Sequence, residues 1–155
     1  MSSEIEEKHK ISGVIDLEFT KNDYLWEFTR YKTFTKWPFK TNAQCLPAKM
    51  AEAGWYCTNT DPDDPSAKCA FCLKELSGWE RSDEPWAEHS KHNDQCPFVK
   101  LGKPERDCTV ANMFHLLEAR MLKILEVQHQ ENLRKLEERR MKIVTEIKKK
   151  YKQSM

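Results

Sequence analysis

The stretch from Cys69 to Cys96 constrains this chain most. It reads C-A-F-C, then sixteen residues to His89, then six more to Cys96. Three thiols and one imidazole at this spacing make a closed four-ligand zinc site from Cys69, Cys72, His89 and Cys96. Such a site builds structure and leaves no coordination position open for catalysis. Cys69 and Cys72 are close enough for one tight knuckle to present both sulfurs, while His89 and Cys96 are placed as on a helix and in the turn after it. A two-histidine DNA-reading finger fits less well. His89 and His92 have two residues between them, where such a finger wants about three to five.

The 155 residues allow one ordinary domain and an appendage. Net charge is +1, so no overall field draws the chain to nucleic acid, but the charge is unevenly placed. From Thr109 onward there are 11 Lys/Arg and 6 Asp/Glu; residues 1–108 carry 15 and 19. An acidic front and a basic tail predict different partners at the two ends. No apolar run has signal or membrane length, which predicts a soluble intracellular protein whose thiols stay reduced. Cys45, Cys57 and Cys108 remain after the zinc ligands. An odd remainder argues against a disulfide framework and for ordinary thiols.

Taken in order, residues 1–20 show no period and read as a flexible N-terminus. Tyr24, Leu25, Phe28 and Tyr31 fall at helical spacing, with Asn22 or Asp23 as cap. Pro38 stops any helix at Trp37. A short helix is expected over 47–53, ended by Gly54. Strands are expected at 55–57, within 68–72 and over 73–79, with an acidic loop (Asp61, Asp63, Asp64) after the first. Trp79 reads as a surface platform beside Leu76 and Asp83. A turn over 82–85 caps a helix that carries His89 and His92, and Cys96-Pro97 closes the domain. A zinc domain thus spans 21–102. From 103 to 155 a long coiled-coil-type helix follows, with no Pro or Gly after Thr109. Val110, Phe114, Leu117, Met121, Ile124 and Leu125 form its expected partner seam, with Leu133, Leu136, Ile143 and Ile147 beyond. About 40 helical residues would be about 60 Å long, which predicts a helix that does not fold back and needs other helices.

These residues resemble a baculovirus inhibitor-of-apoptosis repeat (BIR) domain. The resemblance rests on Arg30-x-x-Thr33-Phe34-x-x-Trp37-Pro38, Met50-Ala-Glu-Ala53-Gly54-Trp55-Tyr56 and Cys69-x-Phe71-Cys72. It continues in Leu76-x-Gly78-Trp79 and Pro85-Trp86-x-Glu88-His89-x6-Cys96-Pro97-Phe98. One such domain before one long helix is similar to the survivin (deterin) family, subunits of the chromosomal passenger complex. The implied fold is α+β: short helices around a three-stranded antiparallel sheet, one structural zinc ion, then the long helix.

The resemblance implies a non-enzymatic adaptor that binds the free N-terminus of a peptide beside the third strand. Asp83 would pair with the α-amino group. Leu76 and Trp79 would wall a pocket for a first-position alanine, and the strand around Lys74 to Ser77 would accept the peptide as an extra strand. Lys74 and His92 would hold a phosphate on the ligand's third residue, a threonine of the histone H3 tail. Glu75 and Asp63 would meet basic residues further along. Ser77 stands where vertebrate members usually have an acid that helps bind the amine, and Leu46 where they have a threonine before proline.

The long helix would join helices of inner centromere protein and borealin in a three-helix bundle. That bundle would bring a mitotic kinase to centromeres and later to the spindle midzone, in a protein of nucleus and cytoplasm. The free chain would form homodimers near 24–28 and 98–101. The basic end, Lys148 to Lys152, would alternatively touch nucleic acid. A reading from another class is an apoptosis inhibitor that binds caspases or N-terminal peptides of their antagonists. A ubiquitin ligase would need a second Cys/His array, which three spare cysteines do not make.

Overall fold

The structure is a computed structural model that describes residues 22–59, 61 and 63–153. The N-terminus expected to be flexible, residues 1–20, lies outside the described residues. The first apolar period resolves into a 3-10 turn, Asn22–Leu25, and helix α1, Glu27–Thr33. A second 3-10 turn, Phe34–Lys36, ends before Trp37, whose extended φ/ψ is what a following proline imposes. Helix α2, Pro47–Glu52, starts on proline, whose fixed φ and missing N–H suit the first helical position.

The sheet is antiparallel with order β1-β2-β3: Trp55–Cys57, Ser66–Cys69 and Glu75–Ser77. Trp55 pairs with Cys69, and Ala67 with both Cys57 and Leu76. The third strand is shorter than the expected 73–79. Leu73 takes φ = 61°, a left-handed turn in which no strand continues. Helix α3, Pro85–His92, is capped by Glu84, whose carboxylate accepts from the Ala87 N–H at 2.7 Å. The domain does not close at Cys96-Pro97. Helix α4, Pro97–Leu101, follows and ends on Gly102 at φ = 61°, a glycine C-cap.

Arg30 is the pin of this unit. It is fully buried, and its guanidinium donates to the carbonyls of Ala51 (2.9 Å), Tyr24 (2.9 Å) and Leu25 (2.7 Å). Its Nη2 meets Glu105 at 3.4 Å. A buried charge persists only when paired and hydrogen-bonded; here one side chain ties α1, α2 and the 3-10 turn Glu105–Asp107 together. Around it packs an aromatic core. Phe71 and Phe98 stack at 4.4 Å, Trp86 stacks on Phe98 at 5.1 Å, and Trp79 meets the edges of Trp55 and Trp37 at 5.3 and 6.3 Å.

Helix α5, Val110–Gln153, opens on a reciprocal cap. The Thr109 N–H donates to Asn112 Oδ1 and the Asn112 N–H to Thr109 Oγ1, at 3.1 and 3.2 Å. Its first turns do pack back. Leu116 is fully buried, and Met113 and Leu117 lie against the core. Arg120, also buried, donates from Nη1 to the Ala70 carbonyl. Among the described residues, the compact unit that carries the metal donors takes in the first turns of α5 up to Lys123, and residues from Ile124 belong to a separate unit. No helix among the described residues is long and apolar enough to cross a membrane.

Candidate metal centre and peptide-binding groove

Four elements deliver the metal donors. Cys69 ends β2, Cys72 lies in the turn that Leu73 bends, His89 faces inward from α3, and Cys96 precedes α4. All four are buried, and their ligand atoms lie within 4.8 Å of one another. Cys72 Sγ is 3.6 Å from His89 Nε2, the edge expected of a tetrahedron with Zn–S about 2.3 Å and Zn–N about 2.0 Å. His89 Nδ1 lies 3.0 Å from the Ala53 carbonyl, a bond that fixes the ring and leaves Nε2 for the metal. The Phe71 and Cys72 N–H groups point at Cys69 Sγ from 3.3 and 3.5 Å, as in a thiolate knuckle.

The donors perturb one another strongly. Burial, then the neighbouring sulfurs, push the Cys69 thiol well above its ordinary range. Hydrogen bonds from Cys69 and Cys96 hold Cys72 well below it. Burial opposes a charge on His89, but Cys72 and Cys96 outweigh that and raise its pKa to about 9. A soft divalent ion displaces the thiol and imidazolium protons, and four buried N/S donors at these distances fit one structural zinc ion.

Beside the metal centre, the open edge of β3 meets α3 across a pocket of about 270 Å³. It brings together five of the expected peptide-binding residues: Leu76, Ser77, Trp79, Asp83 and His92. Trp79 is not a surface platform. It is 4% exposed, wedged between Trp37 and Trp55, and its indole N–H donates to the Leu76 carbonyl at 3.2 Å. A tryptophan is large enough to serve as core and wall together. Asp83 Oδ2 accepts from the Glu80 N–H at 2.7 Å, which orients the carboxylate.

Lys74, Glu75 and Asp63 do not line this pocket. Lys74 is exposed just before β3. Glu75 accepts from Thr58 at 2.8 Å and lies 3.9 Å from Lys68, and the Asp63 N–H donates to Asp61 Oδ1 at 3.0 Å. Sequence reasoning missed Glu80, Glu88 and Lys91, which do line it. Glu88 is 3.1 Å from Lys91 and 3.3 Å from His92. The i,i+4 step from Glu88 to His92 was the available signal.

The expected partner seam divides. Val110, Phe114 and Leu125 are exposed, Leu117 and Met121 half-buried, and Ile124 buried. Heptad spacing and the 3.6-residue period select overlapping residues, so the pattern alone could not say which face meets the domain. The inward face is Met113, Leu116, Leu117 and Arg120. A groove of about 450 Å³ opens between Leu25, Trp26, Val110, Met113 and Phe114. Phe98, in the expected homodimer region, is fully buried and offers no contact surface.

A zinc knuckle, a three-stranded sheet and a helix-bordered pocket in this order define a zinc-stabilised interaction domain. Residues 30–100 match the family described as BIR: Inhibitor of Apoptosis domain, and the chain belongs to that family, with one such domain ahead of its long helix. It is 42% identical over 106 residues to Baculoviral IAP repeat-containing protein 5.1 of Xenopus tropicalis, covering 68% of this chain and 66% of that protein. Baculoviral IAP repeat-containing protein 5.2 of the same organism is 41% identical over 107 residues, with 67% and 69% covered. Among solved structures, an autoinhibited dIAP1-BIR1 domain aligns with TM-score 0.44 and 35% identity, covering 51% of this chain and 75% of that one.

Proposed function

We propose that this protein is a non-enzymatic adaptor of the chromosomal passenger complex. Its BIR domain binds the free N-terminus of histone H3 phosphorylated on the third residue, a threonine. Helix α5 joins helices of inner centromere protein and borealin, bringing a mitotic kinase to centromeres. The observation that carries the reading is the pocket at the open edge of β3, where Asp83 and His92 share one small space. A peptide added to that edge gains backbone hydrogen bonds. Its ammonium group, cationic below a pKa of about 7.7–8.0, meets a pocket containing Glu80, Asp83 and Glu88. The two added acids offset the absence of an acid at Ser77. Lys74, Lys91 and the His92 ring are the groups available to a phosphate.

The exposed aromatic and apolar surface at Trp26, Val110 and Phe114 supports helix partners, or a second copy, on the domain side of α5. The distal stripe, Leu133, Leu136, Ile143 and Ile147, is exposed on an otherwise charged helix and supports continued bundling. The apoptotic alternative would use the same amine-binding pocket but not a phosphate.

An Asp83→Asn variant tests the amine assignment. It should bind a peptide beginning Ala-Arg-Thr-Lys at least tenfold more weakly, and N-acetylation of the peptide should cost the wild type a similar factor. Equal binding of acetylated and free peptides would refute end recognition.

A further inference from the structure

Between Glu27 and Glu52 the chain has no carboxylate side chain, although Asp and Glu make up 25 of its 155 residues. The same stretch carries Arg30, Lys32, Lys36, Lys40 and Lys49. Arg30 is consumed by the core, and the four lysines are exposed. α1, the turn after it and the start of α2 enclose a groove of about 520 Å³. Its walls include Tyr31, Phe34, Leu46 and Pro47, together with Lys32 and Lys40. It shares no lining residue with the β3 pocket or with the groove beside α5.

The lysines have only neutral company. Lys32 lies 4.0 Å from the Phe28 ring centroid, Lys40 donates to the Thr35 carbonyl at 2.9 Å, and Lys49 to the Gln44 side-chain oxygen at 2.8 Å. None of the four has a carboxylate within 4.0 Å among the described residues, whereas Lys68 and Lys91 of the same domain are paired with glutamates. Unopposed cations leave a local positive potential in a chain of almost no net charge. The apolar walls, with Tyr31 50% exposed, leave unfilled a space that favours an apolar side chain. A free phosphate would ignore those walls, and a flat lipid surface would not enter the concavity. Lysines supply point charges without the planar fork that reads nucleic acid.

We propose that this groove docks an acidic protein segment with one apolar anchor. The anchor fills the space between Tyr31, Phe34, Leu46 and Pro47, and flanking carboxylates meet Lys32 and Lys40, with Lys36 and Lys49 adding to the field. The test selects random peptides displayed on phage against the zinc-loaded full chain, with counter-selection on a Lys32→Glu/Lys40→Glu double variant. Both positions are exposed, so that variant should keep the wild-type circular dichroism spectrum. Enriched peptides should be acidic around an aromatic or branched aliphatic residue. Their affinity should fall at least tenfold on the double variant and also fall with salt. They should shift the Tyr31 and Ala48 resonances while leaving those of Ser77 and Asp83 in place. Enrichment of neutral or basic peptides, retention on the double variant, or no enrichment would overturn the proposal. So would duplex DNA or anionic vesicles that bind more tightly than the best peptide and are released by the same substitutions.

Discussion

At Gly54 the backbone takes φ = 89°, and a Cβ there would stand 3.0 Å from Phe98 Cδ1. The ring cannot retreat, because it stacks on Phe71 and Trp86. The left-handed conformation costs an L-residue about 1–2 kcal/mol, and overpacking a filled core about 1–3 kcal/mol. Gly54→Ala should therefore destabilise the domain by roughly 2–5 kcal/mol in urea unfolding; a neutral substitution would mean that the Phe98 stack is loose. Two weak acids, buried Cys45 and half-buried Tyr56, contribute an alkaline limit. Burial pushes the Cys45 thiol from 9.0 to about 11 and the Tyr56 phenol from 10.0 to about 12. Each group is then protonated in the folded chain over a range where the unfolded chain has lost its proton. Their stability contribution is complete below about pH 9 and is lost as pH rises through 11 and 12. The urea midpoint should fall over that window, and less steeply in Tyr56→Phe; an identical slope in the variant would remove the phenol from the account.

Among the elements, the zinc-bearing turns were the most legible in the sequence. Cys-x-x-Cys with a spaced His and Cys admits few geometries, and all four donors converge. Strand β1 matched its expected bounds, since Trp55-Tyr56-Cys57 lies between a left-handed glycine and a polar loop. The third strand came out short because a left-handed Leu73 leaves no sequence mark of its own. Trp79 was expected to be more exposed than it is, because a pocket wall and a core residue have the same apolar signature and here one side chain is both. For α5, amphipathicity announced a helix but could not rank its faces. The choice of Leu116 and Arg120 over Val110 and Phe114 depends on the carbonyl of Ala70, far away in sequence. At this scale the metal dominates. Zinc sites of this type bind with apparent energies of about 10–16 kcal/mol, against about 5–15 kcal/mol for the whole stability of a domain. Chelation should red-shift the tryptophan emission, because the Trp55 ring lies 4.5 Å from His89. Re-addition of zinc should restore it. A native spectrum in excess chelator would contradict a structural role.

For the whole molecule, the described residues form two units with different work. One holds the metal, the β3 pocket and the first turns of α5; the other is mostly solvent-facing helix. Arg134 pairs with Glu131 and Glu138, and Arg140 with Glu137, pairs that support an isolated helix by about 0.2–0.5 kcal/mol each. That is too little to hold many turns unaided, which is the physical ground for the helix partners proposed above. This division suits the adaptor proposed above, with the β3 pocket for a ligand and the distal helix for an assembly. Calorimetry is the most direct test. The zinc-loaded chain would be titrated with Ala-Arg-Thr-Lys peptides with and without phosphate on the threonine, for wild type and Lys74→Ala. The account predicts tighter binding of the phosphorylated form, with that preference lost in the variant. Equal binding of both peptides, or binding of neither, would contradict the proposed chromatin-reading function and move the weight to the apoptotic one.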